Sequence, residues 1–560
     1  MQVHQQPILC QQCQQVPNVP NIRRFHMLKP RFLRCNYVPS EIEISHLTKV
    51  LMEAEKQVEQ YEKDISVLRR KLGQLEKEKI AAEAVTKQCR ASLSVHRRVP
   101  VELWEMVFSR LCLSLHDYSF DTNLLPGLPA ILISQVCSHW KAIAGGLPSI
   151  WSSINVHLHE LYDTRLPLET YLSNSADYPL KIRIAGQREA PLTPQAVDVW
   201  QTLFKHINRC RELVMTIPPF CFNENHFDPP ISNFTFSKLE SLHEEYGEEY
   251  VVPGQRGWPW FWQAIQEAPK LTTVTSIYPS RPLPFSRLTT WEVRAIKDAS
   301  EVYELFDALR SCDCLESLTL TEISSSSDYN LDVVSSLRTV EFELPSLRRF
   351  SAIAHQDRCG WLSSIVETLI MPLLETLHIK YGQLDLPVIS LLNMIRRSSN
   401  SLKGVTLTVN MGERERFSPD FPLSDLLQSA SELTHFELLV DRASPSDRPF
   451  FDDMIPSVLS RLRDHPRHFL PKLALLSLGI PGITLNPQLV KRVLGAVWAR
   501  QLTTHPLTDI RLVSLNSRTE SGRKFVIDPE QLTEIKLLKE SRINVIIEAK
   551  LARCRNRRRY

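Results

Sequence analysis

Leu315-Glu316-Ser317-Leu318-Thr319-Leu320 and Leu374-Glu375-Thr376-Leu377-His378-Ile379 share one spacing, L-x-x-L-x-L. Looser copies lie at Leu402/Val405/Leu407, Leu433/Phe436/Leu438 and Leu473/Leu476/Leu478, and Leu239/Leu242, Leu271/Val274 and Leu288/Trp291/Val293 lead into them. From Leu288 the next copies start at Leu315, Leu347, Leu374, Leu402 and Leu433, in steps of 27 to 32 residues. The last two apolar positions of a copy alternate with polar ones, which is the period of a half-buried strand. Between copies the period changes to that of a helix, as in Val302-Tyr303-Leu305-Phe306-Leu309, Val388-Ile389-Leu391-Leu392-Ile395 and Leu489-Val490-Val493-Leu494-Val497-Trp498. One strand and one helix cannot bury their own apolar faces, so such units have to stack on their neighbours.

The repeat resembles leucine-rich repeats at the long edge of their usual period. In that signature an Asn or Cys follows the strand and completes a hydrogen-bond ladder. Here the place is held by Ile323, Gly382, Asn410, Asp441 and Pro481, so only Asn410 fits. The step from Leu433 to Leu473 is 40 residues and contains the loop Asp441–Arg448. An irregular leucine-rich-repeat-like α/β solenoid is therefore expected over 210–545. Its strands place Glu316, Thr319, Glu375, His378, Lys403 and Thr406 between the leucines. Strand alternation predicts that these point away from the core and line the surface offered to a target protein.

A second periodicity lies between Ile44 and Cys89. With a at Ile44, Leu51, Val58, Ile65, Leu72 and Lys79, d falls on Leu47, Ala54, Tyr61, Leu68, Leu75 and Ala82. This 3.5-residue repeat predicts a coiled coil. In a parallel pair Asp64 faces Arg69 and Lys71 faces Glu76, which favours a homodimer. A single helix folded back on the chain is the alternative.

Next comes Arg97-Arg98-Val99-Pro100-Val101-Glu102-Leu103-Trp104-Glu105-Met106-Val107-Phe108, in which Pro100 suits the first turn of a helix. Leu103, Val107 and Leu111 give that helix one apolar face. After a loop from His116 to Pro129, Leu132-Ile133-Ser134-Gln135-Val136-Cys137-Ser138-His139-Trp140-Lys141-Ala142-Ile143-Ala144 has a second helical stripe. Pro148 and Trp151 close the segment before the strand-like Ile154-Asn155-Val156.

This segment resembles the F-box of fungal, mushroom-type F-box proteins: a basic-Leu-Pro start, then "SQVC-x-x-W", then a "Pro-x-Leu-Trp" closing element. A coiled coil just upstream is also a habit of that family. Val99 stands where Leu is usual, Val107 where Ile is usual, and Ser138-His139 where paired basic residues are commoner. The resemblance implies a three-helix module docking on the SKP-type adaptor of a cullin ubiquitin ligase, the SCF type. Val99, Pro100, Leu103, Val107, Phe108, Val136, Trp140 and Trp151 would meet the adaptor. Trp140 and Trp151 suit plain core packing as well, and for Pro100, Leu103 and Phe108 both readings stand.

Composition excludes other classes. The 560 residues hold 66 Lys+Arg against 63 Asp+Glu, so the whole chain has no pull on nucleic acid or acidic membranes. No run approaches the roughly 18 apolar residues of a membrane span, and no secretory signal opens the chain. Scattered cysteines, 12 in all, fit reduced thiols in the cytoplasm or nucleus. The pair Cys10/Cys13 lacks the second pair a zinc site needs. Phosphate-binding glycine loops, HExxH and GxSxG are absent, which points to no catalysis, cofactor or metal. Trp258-Pro259-Trp260-Phe261-Trp262 reads as core, Glu244-Glu245 with Glu248-Glu249 as a solvated loop, and Asn233-Phe234-Thr235 as a chance glycosylation match.

The chain thus reads as multi-domain, α then α/β. A disordered leader spans 1–40, a coiled-coil helix 41–95, the F-box 96–156 and a linking region 157–209. The repeat domain spans 210–545 and a basic tail 546–560. The expected function is that of a substrate-receptor subunit. The alternative is a scaffold, or a basic-tailed binder of nucleic acid or protein, that keeps an F-box-like fold without ligase assembly.

Overall fold

The heptad run folds as one helix, α1 (Glu41–Ser92), in the computed structural model of the chain. The structure describes residues 36–114, 128–157, 165–185, 194–216, 235–245, 259–324, 341–356, 360–381, 388–398, 401–410, 427–442, 448–481, 487–501, 503, 505–516 and 544–551. Two units are distinguished, Met1–Pro100 and Val101–Tyr560. In the first, Ser40 starts α1 and its amide donates to the Glu43 carboxylate at 3.0 Å. Glu41 and Glu43 also place negative charge against the helix N-terminus. No residue of α1 is buried.

The second unit opens with three short helices, α2 (Val101–Ser114), α3 (Pro129–Val136) and α4 (Ser138–Gly145). Pro129 starts α3 at the position where a missing N–H costs nothing. Cys137 breaks the run into two helices by adopting an extended backbone, and its sulfur accepts from the Trp140 amide to cap α4. The three helices pack on one another around Trp104, Phe108 and Trp140, whose ring centroids lie 4.7 to 5.7 Å apart. The Trp151 indole donates to the Ala144 carbonyl at 2.7 Å, tying the end of α4 to the following chain. Tyr171, on α5 (Arg165–Asn174), meets the Trp151 ring edge-on.

The remainder is a mixed α/β unit built on a large parallel sheet. Its strands, in spatial and chain order, are β1 (Ser153–His157), β2 (Leu180–Ala185), β3 (Cys210–Met215), β4 (Ser241–Glu244), β5 (Thr273–Ser276), β6 (Thr290–Val293) and β7 (Ser317–Ser324). After a side pair of β8 (Phe342–Glu343) with β10 (Leu369–Ile370), the large sheet continues through β9 (Arg349–Gln356), β11 (Thr376–Tyr381), β12 (Gly404–Asn410), β13 (His435–Arg442), β14 (Leu475–Pro481), β15 (Asp509–Asn516) and β16 (Asn544–Leu551). Crossovers carry α6 (Pro194–Phe204), α7 (Pro259–Gln266), α8 (Ala299–Leu309), α9 (Trp361–Thr368), α10 (Val388–Ser398), α11 (Arg448–Asp464) and α12 (Pro487–Gln501). A parallel pair needs such a crossover, and the helices cover the apolar side of the strands.

Register explains why the leucine spacing matters. The second position of each copy forms one buried row: Leu242 pairs with Val274, then Trp291, Leu318, Phe350, Leu377, Val405, Phe436, Leu476 and Ile510 follow strand by strand. The first position lies just ahead of each strand. From Leu239 through Leu473 those leucines are at most 2% exposed, each contributing about 1.5–3 kcal/mol of burial. Between them the backbone ladder already runs: Arg348 N donates to Glu316 O, Glu375 N to Arg348 O, and Lys403 N to Glu375 O, at 2.8 to 2.9 Å.

Two expected boundaries move. Residues 157–209 carry α5, β2 and α6, and β2 bonds β1 to β3, so this stretch is part of the sheet rather than a link. Strand β16 runs across the boundary placed at 545. Phe261 and Trp262 are buried on α7. The leader 1–35, Trp258, Asn233-Phe234, Glu248-Glu249 and the basic run Arg553–Arg559 lie outside the described residues.

Candidate functional site

The eight residues expected to meet an adaptor divide into a surface set and a core set. On α2, Leu103 and Val107 are exposed, Leu103 by 49%, and on α3 Val136 is exposed by 61%. Phe108 and Trp151 are 1% and 2% exposed, so they hold the module together and offer nothing to a partner. Trp140 is partly buried between Trp104 and Phe108 and belongs with them. Val99 is half-buried and Pro100 exposed, immediately ahead of α2.

The helical period accounts for the split. Leu103, Val107 and Leu111 recur every four residues along one side of α2, with Met106 beside them, and all four are exposed. Phe108 and Cys112, one position further round, point inward. On α3, Ile133 is buried while Leu132 and Val136 are exposed. Each of the two packed helices therefore presents an apolar stripe to solvent. Leu111 and Leu132 were absent from the expected set, although each lies four residues from a member of it.

The six residues expected on the sheet also divide. Thr319, His378 and Thr406 fall in one register row, joined through Ser351: Thr319 pairs with Ser351, Ser351 with His378, and His378 with Thr406. The row continues to Glu437 and Ser477. Ser351 Oγ lies 3.3 Å from His378 Nδ1, and Ser477 donates to Glu437 at 3.0 Å. Partial burial lowers the His378 imidazole from its ordinary value.

Glu316, Glu375 and Lys403 lie outside that register row. Each stands one residue ahead of its strand, where alternation has not begun, and they form a charged rim at the starts of β7, β11 and β12. Arg348, ahead of β9, completes the sequence of alternating sign and was missed because its copy, Leu347-Arg-Arg-Phe350, resembles the signature only loosely. Arg348 Nη1 lies 3.1 Å and Lys403 Nζ 3.3 Å from the same Glu375 oxygen. The Lys403 hydrogen bond and charge, with Arg348 behind them, hold the Glu375 carboxyl below its usual range.

Among the described residues, no group of three His, Cys, Asp or Glu side chains could hold a metal ion, and no helix is long and apolar enough to cross a membrane. The buried thiols of Cys112 and Cys312 are pushed up by burial, to about 11 and about 12, which removes them as nucleophiles.

No family model matches the chain, and no curated protein matches it. Nineteen solved chains do. One is a protein of Bacteroides fragilis determined by structural genomics. It is 14% identical, covering 46% of this chain and 74% of its own, with a TM-score of 0.23. A superposition of that quality carries no argument about fold or function.

Proposed function

We propose that the chain is a substrate-receptor subunit of an SCF-type cullin ubiquitin ligase, with no catalysis of its own. The module α2–α4 docks on the SKP-type adaptor, and the polar side of the large sheet holds a target protein. The observation that carries this reading is the pair of solvent-exposed apolar stripes, Leu103/Val107/Leu111 and Leu132/Val136, on helices whose sequence resembles an F-box. Apolar anchors on short helices are what a partner's groove receives. A packed module gains nothing from leaving five such side chains in water unless something covers them.

The test is direct. The purified chain is mixed with a fungal SKP-type adaptor, and binding is compared with that of Leu103→Asp plus Val136→Asp. Retained adaptor binding in the folded double variant, or no binding by the parent, sinks the assignment. The second outcome would leave a scaffold with an F-box-like module.

A further inference from the structure

We propose that the chain is a homodimer joined through α1, with the two copies of the helix parallel and in register. The helix is 52 residues long and none of them is buried. Yet Ile44, Leu51, Val58, Ile65, Leu68 and Leu72, all seam positions, are 47 to 60% exposed. A helix in water draws most of its stability from packing an apolar stripe rather than from propensity. The stripe here repeats every 3.5 residues, the period that keeps it facing a second helix along a supercoil.

Charge selects a second copy of the same helix and fixes its direction. In the parallel arrangement Asp64 meets Arg69 of the other copy, and Lys71 meets Glu76. Each contact occurs twice by symmetry. One like-charge contact remains, Glu78 with Glu83, and Lys79 softens it by lying 3.8 Å from Glu83 on its own helix. An antiparallel pair with full overlap, Ile44 against Ala82, gains one attractive contact, Glu62 with Arg69, but sets Glu43 against Glu78 and Glu55 against Glu76. The parallel pair wins on this comparison.

One further residue reports on the arrangement. Cys89 lies seven residues beyond Ala82, again at d, and is exposed. Parallel, in-register helices bring the two Cys89 thiols face to face. Antiparallel ones put them at opposite ends of the assembly.

The full chain at tens of micromolar in reducing buffer is expected to show twice its 64.5 kDa mass by light scattering. Ile65→Asp plus Leu68→Asp should halve that mass. Mild oxidation with copper–phenanthroline should yield a cross-linked dimer that reductant dissolves and that Cys89→Ser abolishes, while Cys89→Ser keeps the dimer mass in reducing buffer. A monomeric parent, or a dimer that survives the Asp pair, overturns the proposal. A dimer with no Cys89 cross-link overturns the parallel register. Because Leu103→Asp plus Val136→Asp leaves α1 untouched, that variant should remain dimeric, so the adaptor reading and the dimer can fail separately.

Discussion

Lys403 donates to the carboxylate of Glu375 at 3.3 Å, across the starts of two adjacent strands, β12 and β11. Reversing both residues would exchange the signs and rebuild the pair. Single reversals are therefore the informative ones. Lys403→Glu should place like charges side by side and abolish capture of a target that uses this rim. Glu375→Lys with Lys403→Glu rebuilds the pair but sets a new cation beside Arg348, so it should recover only part of the thermal stability lost in Lys403→Glu and still fail to capture. Pull-down and thermal denaturation on the two variants check this. If Lys403→Glu captured the parental set of partners, the rim would have no part in recognition.

The division of the module into surface and core gives opposite expectations for neighbouring residues. Leu103→Ala should cost about 2 kcal/mol in adaptor affinity, roughly a 30-fold weaker Kd, with little change in stability. Phe108→Ala, in the core, should cost about 3–5 kcal/mol in stability. Titration calorimetry and urea denaturation separate the two effects. The reverse pattern would mean that α2 docks through its other side.

Arg500, on α12, is fully buried and its guanidinium donates to the backbone carbonyls of Pro471 and Leu473 at 2.9 and 3.2 Å, and also to Pro466. Arg500→Met should strand these carbonyls and destabilise the unit by roughly 2–4 kcal/mol. Amide exchange should accelerate first in β14, whose entry this side chain holds in place. Uniform acceleration across the sheet would contradict that local role.

Glu301 caps its own helix: its carboxylate accepts from the Lys297 amide at 2.6 Å, while Asp298 accepts from the Glu301 amide. Burial raises its carboxyl from 4.5 to about 7. The folded state then holds a proton that the unfolded state has released, so this group's contribution falls as pH rises from about 4.5 to about 7. Glu301→Gln keeps an acceptor for Lys297 and should lose that slope. Denaturation of parent and variant over this pH range should give a stability difference that changes with pH. A constant difference would rule out the buried charge.

Much of the sheet was legible because its signal is local. Each leucine that opens a copy, from Leu239 to Leu473, is buried just ahead of a strand. Strand β15 carried the same signal in Leu507-Thr-Asp-Ile510-Arg-Leu512, with isoleucine at the second place. Strand β2 alternates in Leu180, Ile182 and Ile184 but has no leading leucine at the repeat spacing, so it passed as linker. The residues expected to meet an adaptor were harder to read. Leu103 and Phe108 are equally apolar in a sequence, and only the packing of α2 on α3 and α4 decides which one meets water. Glu316, Glu375 and Lys403 were assigned to a face by alternation, which holds inside strands and not one residue before them.

Because neighbours in the large sheet are also neighbours in the chain, its assembly does not have to wait for distant segments. Low sequence separation between pairing partners speeds folding, and synthesis adds roughly 5–20 residues per second. A step of 27 to 32 residues between copies thus emerges from the ribosome in about 1–6 s. Each new strand is therefore expected to emerge with its pairing partner already synthesised. Strand β1, the edge of the large sheet, precedes every leucine copy in the chain, so translation is expected to supply that edge before the strands that extend it.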